Sequence, residues 1–248
     1  MLSKATIKFI KSLQVKKYRK EEQCFLVEGA KSVQELMASD FGVVTLVATT
    51  DFLAGAKVPP GAEVIEVSES ALAGLGEFKT NRSALAVARM KANTPLCIAA
   101  NEYGLVLDDI HDPGNLGTII RTADWYGIRK VIASPETADF YNPKVISATM
   151  GSFTRVNIYS TELSGYLAEA DLPVYGACLE GQNIHETRFG PGGLIVIGSE
   201  SHGISPGVTP FIGVKITIPR FGGAESLNAG VATAVILDNL RRTVPYKP

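Results

Sequence analysis

From Leu105 onward the chain repeats one pattern: a short uninterrupted apolar run, a turn, then a helix-like segment. The runs are LVLDDI, KVIAS, LPVYGACL, GGLIVIG and VKITIP. Strands with one wet face alternate apolar and polar residues, whereas Leu194-Ile195-Val196-Ile197 leaves no position for water. Such a run suits a strand buried on both faces, in a parallel sheet with helices above and below it. The expected fold class is therefore α/β, with a C-terminal doubly wound parallel sheet. Ligands in such sheets sit beyond the carboxyl ends of the strands, so chemistry is expected just after each run.

The residues before this pattern predict a smaller α/β unit. An amphipathic helix near Ala5 to Leu13 precedes FLVEGAKSVQELMAS, a strand running into a helix, and VVTLVAT, EVIEVS and ALAVARM are further strand candidates. KANTPLCIAANEYG then breaks periodicity at Pro95, Asn101 and Gly104. The expected organisation is an N-terminal domain over 1–92, a linker over 93–104 and a second domain over 105–248. A chain of 248 residues, 46% hydrophobic and 20% charged, has ample core for two modest globular domains.

Cys24, Cys97 and Cys178 are far apart and form no CxxC pair. That argues against a disulfide framework or a thiolate zinc site and fits a reducing compartment. No apolar run approaches the roughly 20 residues that span a bilayer, and the N-terminus lacks a signal-peptide core. A cytoplasmic protein without a membrane partner is expected.

A net charge of -1 speaks against whole-surface binding to nucleic acid, but the charge is unevenly placed. Lys4, Lys8, Lys11, Lys16, Lys17, Arg19 and Lys20 all precede the first acid, Glu21. A solvated helix face is the plain reading of such a run. The sharper one is a phosphate-binding surface made by Lys16, Lys17, Arg19 and Lys20, as local positive charge allows even on a neutral protein.

Three strand ends carry unusual residues. In LVLDDIHDPGNLGTIIRTADWYGI, Asp112-Pro113-Gly114-Asn115 is turn chemistry, with Asn115 placed to cap a helix from Leu116 to about Tyr126 that stops at Gly127. Leu116, Ile119, Ile120 and Ala123 share one stripe of that helix, and Arg121 points away from it, free for an anion. In LIVIGSESHGIS, Gly198 permits a tight turn or the approach of a flat ligand, and Glu200 follows two residues later. In IPRFGGAESLNAGVATAVILDNL, Pro219 ends strand pairing, Gly222-Gly223 gives a tight loop, and Ser226 and Asn228 offer oxygens at a helix start.

Familiar sites are excluded. The P-loop pattern is absent, and PGNLG lacks the spacing of a dinucleotide fingerprint. His111, His185 and His202 show no ligand spacing beside Asp108, Asp109 and Asp112, so no metal is expected. There is no GxSxG elbow.

Taken in order, DPGNLGTIIRTADWYGI, IVIGSESHGIS and IPRFGGAESLNAGVATA resemble the three motifs of the SpoU (TrmH-like) RNA 2′-O-ribose methyltransferases of the SPOUT superfamily. FLVEGAKSVQELM resembles the N-terminal substrate-binding domain often fused to them. Arg220-Phe221 departs from the family pattern, where an apolar and a small residue are more usual, and Gly230 stands for a common serine. The resemblance implies a deep trefoil knot near the C-terminus, an exception to the rule against threaded chains. It also implies a homodimer that transfers a methyl group from S-adenosyl-L-methionine to a ribose 2′-hydroxyl. Ribosomal RNA is the favoured substrate, with transfer RNA or non-catalytic RNA binding in ribosome assembly as alternatives.

Carried over residue by residue, the resemblance assigns catalytic positions to Asn115, Arg121, Glu200, Ser226 and Asn228. Gly198, Ile218, Leu227, Cys178 and Ile197 would contact the cofactor, largely by main chain. Arg121 would meet an RNA phosphate and the 2′-hydroxyl, and Asn115 would orient Arg121 or the ribose. Because arginine holds its proton in proteins, electrostatic stabilisation of a developing alkoxide is a better role for Arg121 than that of free base.

Overall fold

The computed structural model describes residues 2–244. The outer ends of the two expected domains, Met1 and 245–248, lie outside the described residues. The chain forms two compact units, one of residues 2–92 with 139–154, the other of 93–138 with 155–244. Residues 139–154 thus belong by sequence to the expected second domain and by packing to the first unit.

The first unit runs α1 (Lys4–Ser12), α2 (Lys16–Glu22), β1 (Cys24–Glu28), α3 (Ala30–Met37), β2 (Val43–Ala48), α4 (Thr50–Ala54), β3 (Glu63–Glu66), α5 (Glu69–Ala73) and β4 (Ala84–Arg89). Its sheet order is β1-β4-β2-β3, antiparallel except where β2 meets β3. Ser3 starts α1 by accepting the Thr6 N–H at 3.0 Å, and the helix turns Ile10 onto the sheet. There Ile10 and Leu13 join Leu26, Val47, Leu85 and Val87. Alternation along β1 sends Phe25 to the other face, where it meets Phe41, Tyr141 and Phe153 with ring centroids 4.7–6.1 Å away. Tyr141 and Phe153 arrive with the 139–154 excursion, whose helix α7 (Pro143–Ala148) packs on β1.

Arg19 corrects the reading of the basic start. Only 2% of its side chain is exposed, with Nη2 2.5 Å from Asp139 and Nη1 donating to the Leu13 and Gln14 carbonyls. It is a buried strut, because its carboxylate partner and two orphan carbonyls converge on it. Lys16, Lys17 and Lys20 remain exposed.

The second unit runs β5 (Tyr103–Asp108), α6 (Pro113–Trp125), β6 (Lys130–Ala133), β7 (Asn157–Ser160), α8 (Leu163–Glu169), β8 (Val174–Asn183), β9 (Gly193–Gly198), β10 (Val214–Thr217) and α9 (Ala229–Thr243). All six strands are parallel, in the order β10-β8-β9-β5-β6-β7. The uninterrupted apolar runs are central: Leu105, Val106, Leu107 and Leu194 to Val196 are all fully buried. On one face Val106, Ile132, Leu194 and Val196 pack against Leu163 and Leu167 of α8. α6 and α9 pack against each other, and Arg241 of α9 donates to the Tyr126 carbonyl at the end of α6. Gly127 takes the left-handed conformation that ends α6. Asn93, at the start of the expected linker, pairs with the Ser160 backbone through both ends of its amide.

Among the described residues no helix is long and apolar enough to cross a membrane.

Candidate active site

The loops after β5, β9 and β10 meet where strand order reverses beside β5, the place at which an open α/β sheet leaves a crevice. Asp108, buried at the end of β5, accepts the Ser205 N–H at 2.6 Å and so ties the first loop to the second. Asp109 follows with φ +62°, a strained value for a residue other than glycine, and its N–H is held by the Ser134 hydroxyl at 3.1 Å. Asp112, rather than the expected Asn115, caps α6: its carboxylate accepts the Asn115 N–H at 2.8 Å, with Pro113 in the first turn. The proline fixes the start of the helix three residues early and leaves the Asn115 side chain uncommitted to capping.

That side chain joins the other two loops. The Asn115 amide donates to Glu200 and its oxygen accepts from the Asn228 amide at 2.8 Å. Glu200 Oε1 also accepts the Asn228 amide at 3.3 Å and the Ala229 N–H at 3.2 Å. Asn228 in turn caps α9 through the Gly230 and Val231 N–H groups. One carboxylate oxygen from the loop after β9 therefore gathers donors from the other two strand ends, at a helix N-terminus where backbone dipoles favour negative charge.

A cleft of about 1090 Å³ opens beside this cluster, over the carboxyl ends of β8, β9 and β10. Ile197, Gly198 and Glu200 form one wall, Cys178 another, and Ile218, Ser226 and Leu227 the third. Burial pushes the Cys178 thiol up, with nearby Lys215 opposing, so Cys178 lines the cleft as a neutral group. Gly198 is required by the protein itself: a Cβ there would sit 2.3 Å from the Gly203 carbonyl carbon, so the loop closes on it.

Two expectations for individual residues change. Ser226 lines the cleft but stands outside the hydrogen-bonded cluster. Asn115 does not orient Arg121, because both ends of its amide are taken by Glu200 and Asn228 and six helical positions set the two side chains roughly 120° apart around α6. Arg121 is exposed, does not line the cleft of its own chain, and makes no hydrogen bond or ion pair to any described residue. Sequence reasoning weighed Asp108 only as a metal ligand and missed its role, which depends on a loop 97 residues away. It noticed Phe221 only as a departure from a pattern, although a large apolar side chain within a glycine-rich polar loop is itself a signal.

A sequence model of the SpoU rRNA Methylase family matches residues 102–238, more than half of the chain. The chain belongs to the SpoU family. In this SpoU protein, residues 4–86 also match the MRM3-like substrate binding domain. The 23S rRNA (guanosine(2553)-2′-O)-methyltransferase RlmP of Bacillus subtilis is 30% identical over 239 residues, 95% of each chain. A TrmH-family structure from Porphyromonas gingivalis superposes with a TM-score of 0.89 at 39% identity, covering 98% of this chain and 99% of the other. The AdoMet-bound rRNA methyltransferase of Sinorhizobium meliloti gives 0.88 at 28% identity, covering 98% and 96%.

Proposed function

We propose that this SpoU protein transfers a methyl group from S-adenosyl-L-methionine to a ribose 2′-hydroxyl of ribosomal RNA. The observation that carries the reading is the Asn115–Glu200–Asn228 cluster, which locks three strand-end loops around one cleft. The cleft suits the cofactor: Ile197, Ile204, Ile216 and Ile236 offer apolar walls for adenine. Carboxylates at Glu180, Glu200 and Glu225 and cations at Lys215 and Arg220 match a sulfonium and a zwitterionic tail. When bound, the cofactor supplies an electrophilic methyl group.

The protein's part is to place the nucleophile. Glu200, immobilised by three donors, fixes the second loop against α9, and Asn228 fixes the third. Arg121 presents its protonated guanidinium to an RNA phosphate and the 2′-oxygen, stabilising the alkoxide as its proton leaves to phosphate or water. Because Arg121 stands outside its own chain's cleft, it serves the cleft of a second copy in a homodimer. Lys16, Lys17 and Lys20 extend the RNA-binding surface on the first unit. The return of the chain from β10 to α9 is threaded as a trefoil knot, and the protein works in the cytoplasm.

Calorimetric titration with S-adenosylmethionine, with NAD as control, tests the reading. Saturable binding of the former alone is the expected result. No binding at millimolar concentration would leave an RNA-binding protein without transfer activity. In Arg121→Ala, methyl transfer to rRNA should fall by about 10²–10³-fold while cofactor affinity holds; retained turnover would remove Arg121 from the mechanism.

A further inference from the structure

Phe221 is 96% exposed and Leu179 78% exposed, and both stand on the wall of the cleft, one from the loop after β10 and the other from β8. Neither contributes to the core. Fully solvated phenylalanine is costly to leave on a surface without a partner, and two such groups from different elements at one mouth make an apolar rim. The cleft, at about 1090 Å³, stands at the top of the ~300–1000 Å³ range of small-molecule sites.

The charges around this rim identify the occupant. Arg220 precedes Phe221 directly, and Lys215 stands on the same wall. Arg220 donates to the Ala224 carbonyl at 3.3 Å, within the loop that carries Phe221. An exposed ring interleaved with cations is the pattern that binds single-stranded nucleic acid, the ring stacking on a base and the cations meeting its phosphates. Recognition of a particular nucleotide in RNA targets single-stranded loops, whose unstacked bases stack on aromatic side chains.

We propose that Phe221, backed by Leu179, is the stacking platform for the target nucleobase of the RNA, with Arg220 holding the adjacent phosphate. This rests on the RNA methyltransferase reading of the same cleft. It assigns base positioning to a loop residue that makes none of the Asn115–Glu200–Asn228 contacts, so substrate grip and cofactor site are separable.

The test compares wild type with Phe221→Ala, Phe221→Trp and Leu179→Ser on an unmodified 23S rRNA transcript. It follows filter retention of the RNA, methyl-transfer kinetics, calorimetric affinity for S-adenosylmethionine, and sedimentation. Phe221→Ala should weaken RNA retention and raise KM by about tenfold, the scale of one lost stacked base. Cofactor affinity and sedimentation should hold, and Phe221→Trp should restore the RNA terms. A loss confined to cofactor affinity would make Phe221 a lid on adenine. A shift in sedimentation would make the rim a contact between copies. Either result, or no change in any reading, overturns the proposal. Absence of cofactor binding by the wild type would instead defeat the methyltransferase reading, and RNA retention, which needs no cofactor, would still decide the role of Phe221.

Discussion

Two buried charges in the first unit turn local geometry into measurable stability. Arg19 spends every polar group of its side chain on Asp139 and on the carbonyls of Leu13 and Gln14. Arg19→Met should lower unfolding free energy by about 3–5 kcal/mol, the range for breaking one half of a buried pair; denaturant unfolding measures it. Glu28 accepts the Glu77 and Phe78 N–H groups, yet burial outweighs them and pushes its carboxyl above the 4.5 of a solvated glutamate. The proton is therefore bound more tightly in the folded protein, and the favourable contribution is complete below the unfolded pKa and fades as pH rises through the folded one. Glu28→Gln should gain stability relative to wild type between pH 4.5 and pH 7 in thermal unfolding; a constant difference across that range would assign Glu28 no titration. Neither residue announces this in sequence. Arg19 sits in a run of surface lysines, and its partner lies 120 positions on.

At the scale of elements, much of the architecture was legible because apolar runs and strands coincide. The exceptions have physical causes. β7, only four residues long with exposed ends at the sheet edge, carries no apolar run to betray it. The start of α6 was misplaced because Asp and Asn are both good caps, and only Pro113 in the first turn decides between them. Of the expected site residues, Asn115, Glu200 and Asn228 converge, while Ser226 lines the cleft and Arg121 faces away. The convergence makes the three loops one energetic unit. Asn115→Ala and Asn228→Ala should each weaken cofactor binding, and the double variant should lose less than the two losses added, by a coupling of about 0.5–3 kcal/mol. Simple additivity in the calorimeter would show that the loops act independently.

For the whole molecule, the division of labour follows packing more closely than sequence order. A fragment of residues 1–92 keeps the four strands of the first sheet but loses Asp139 under Arg19 and the rings of Tyr141 and Phe153 beside Phe25. That fragment should show weak protection of β1 amides in hydrogen exchange, whereas the intact chain protects them; equal protection would mean the excursion adds nothing to the first unit. Sequence could not show the excursion, because 139–154 carries ordinary helix and turn residues whose partners are fixed only in three dimensions. Its consequence reaches back to the ribosome. Domains usually fold in the order in which they emerge, the first one closing while the next is still being made. Here the first unit cannot close until Thr154 has left the exit tunnel, by which time β5, α6 and β6 of the second have already appeared. The first unit of this methyltransferase is thus finished only after part of the second has emerged, and the second, which needs α9, is finished last.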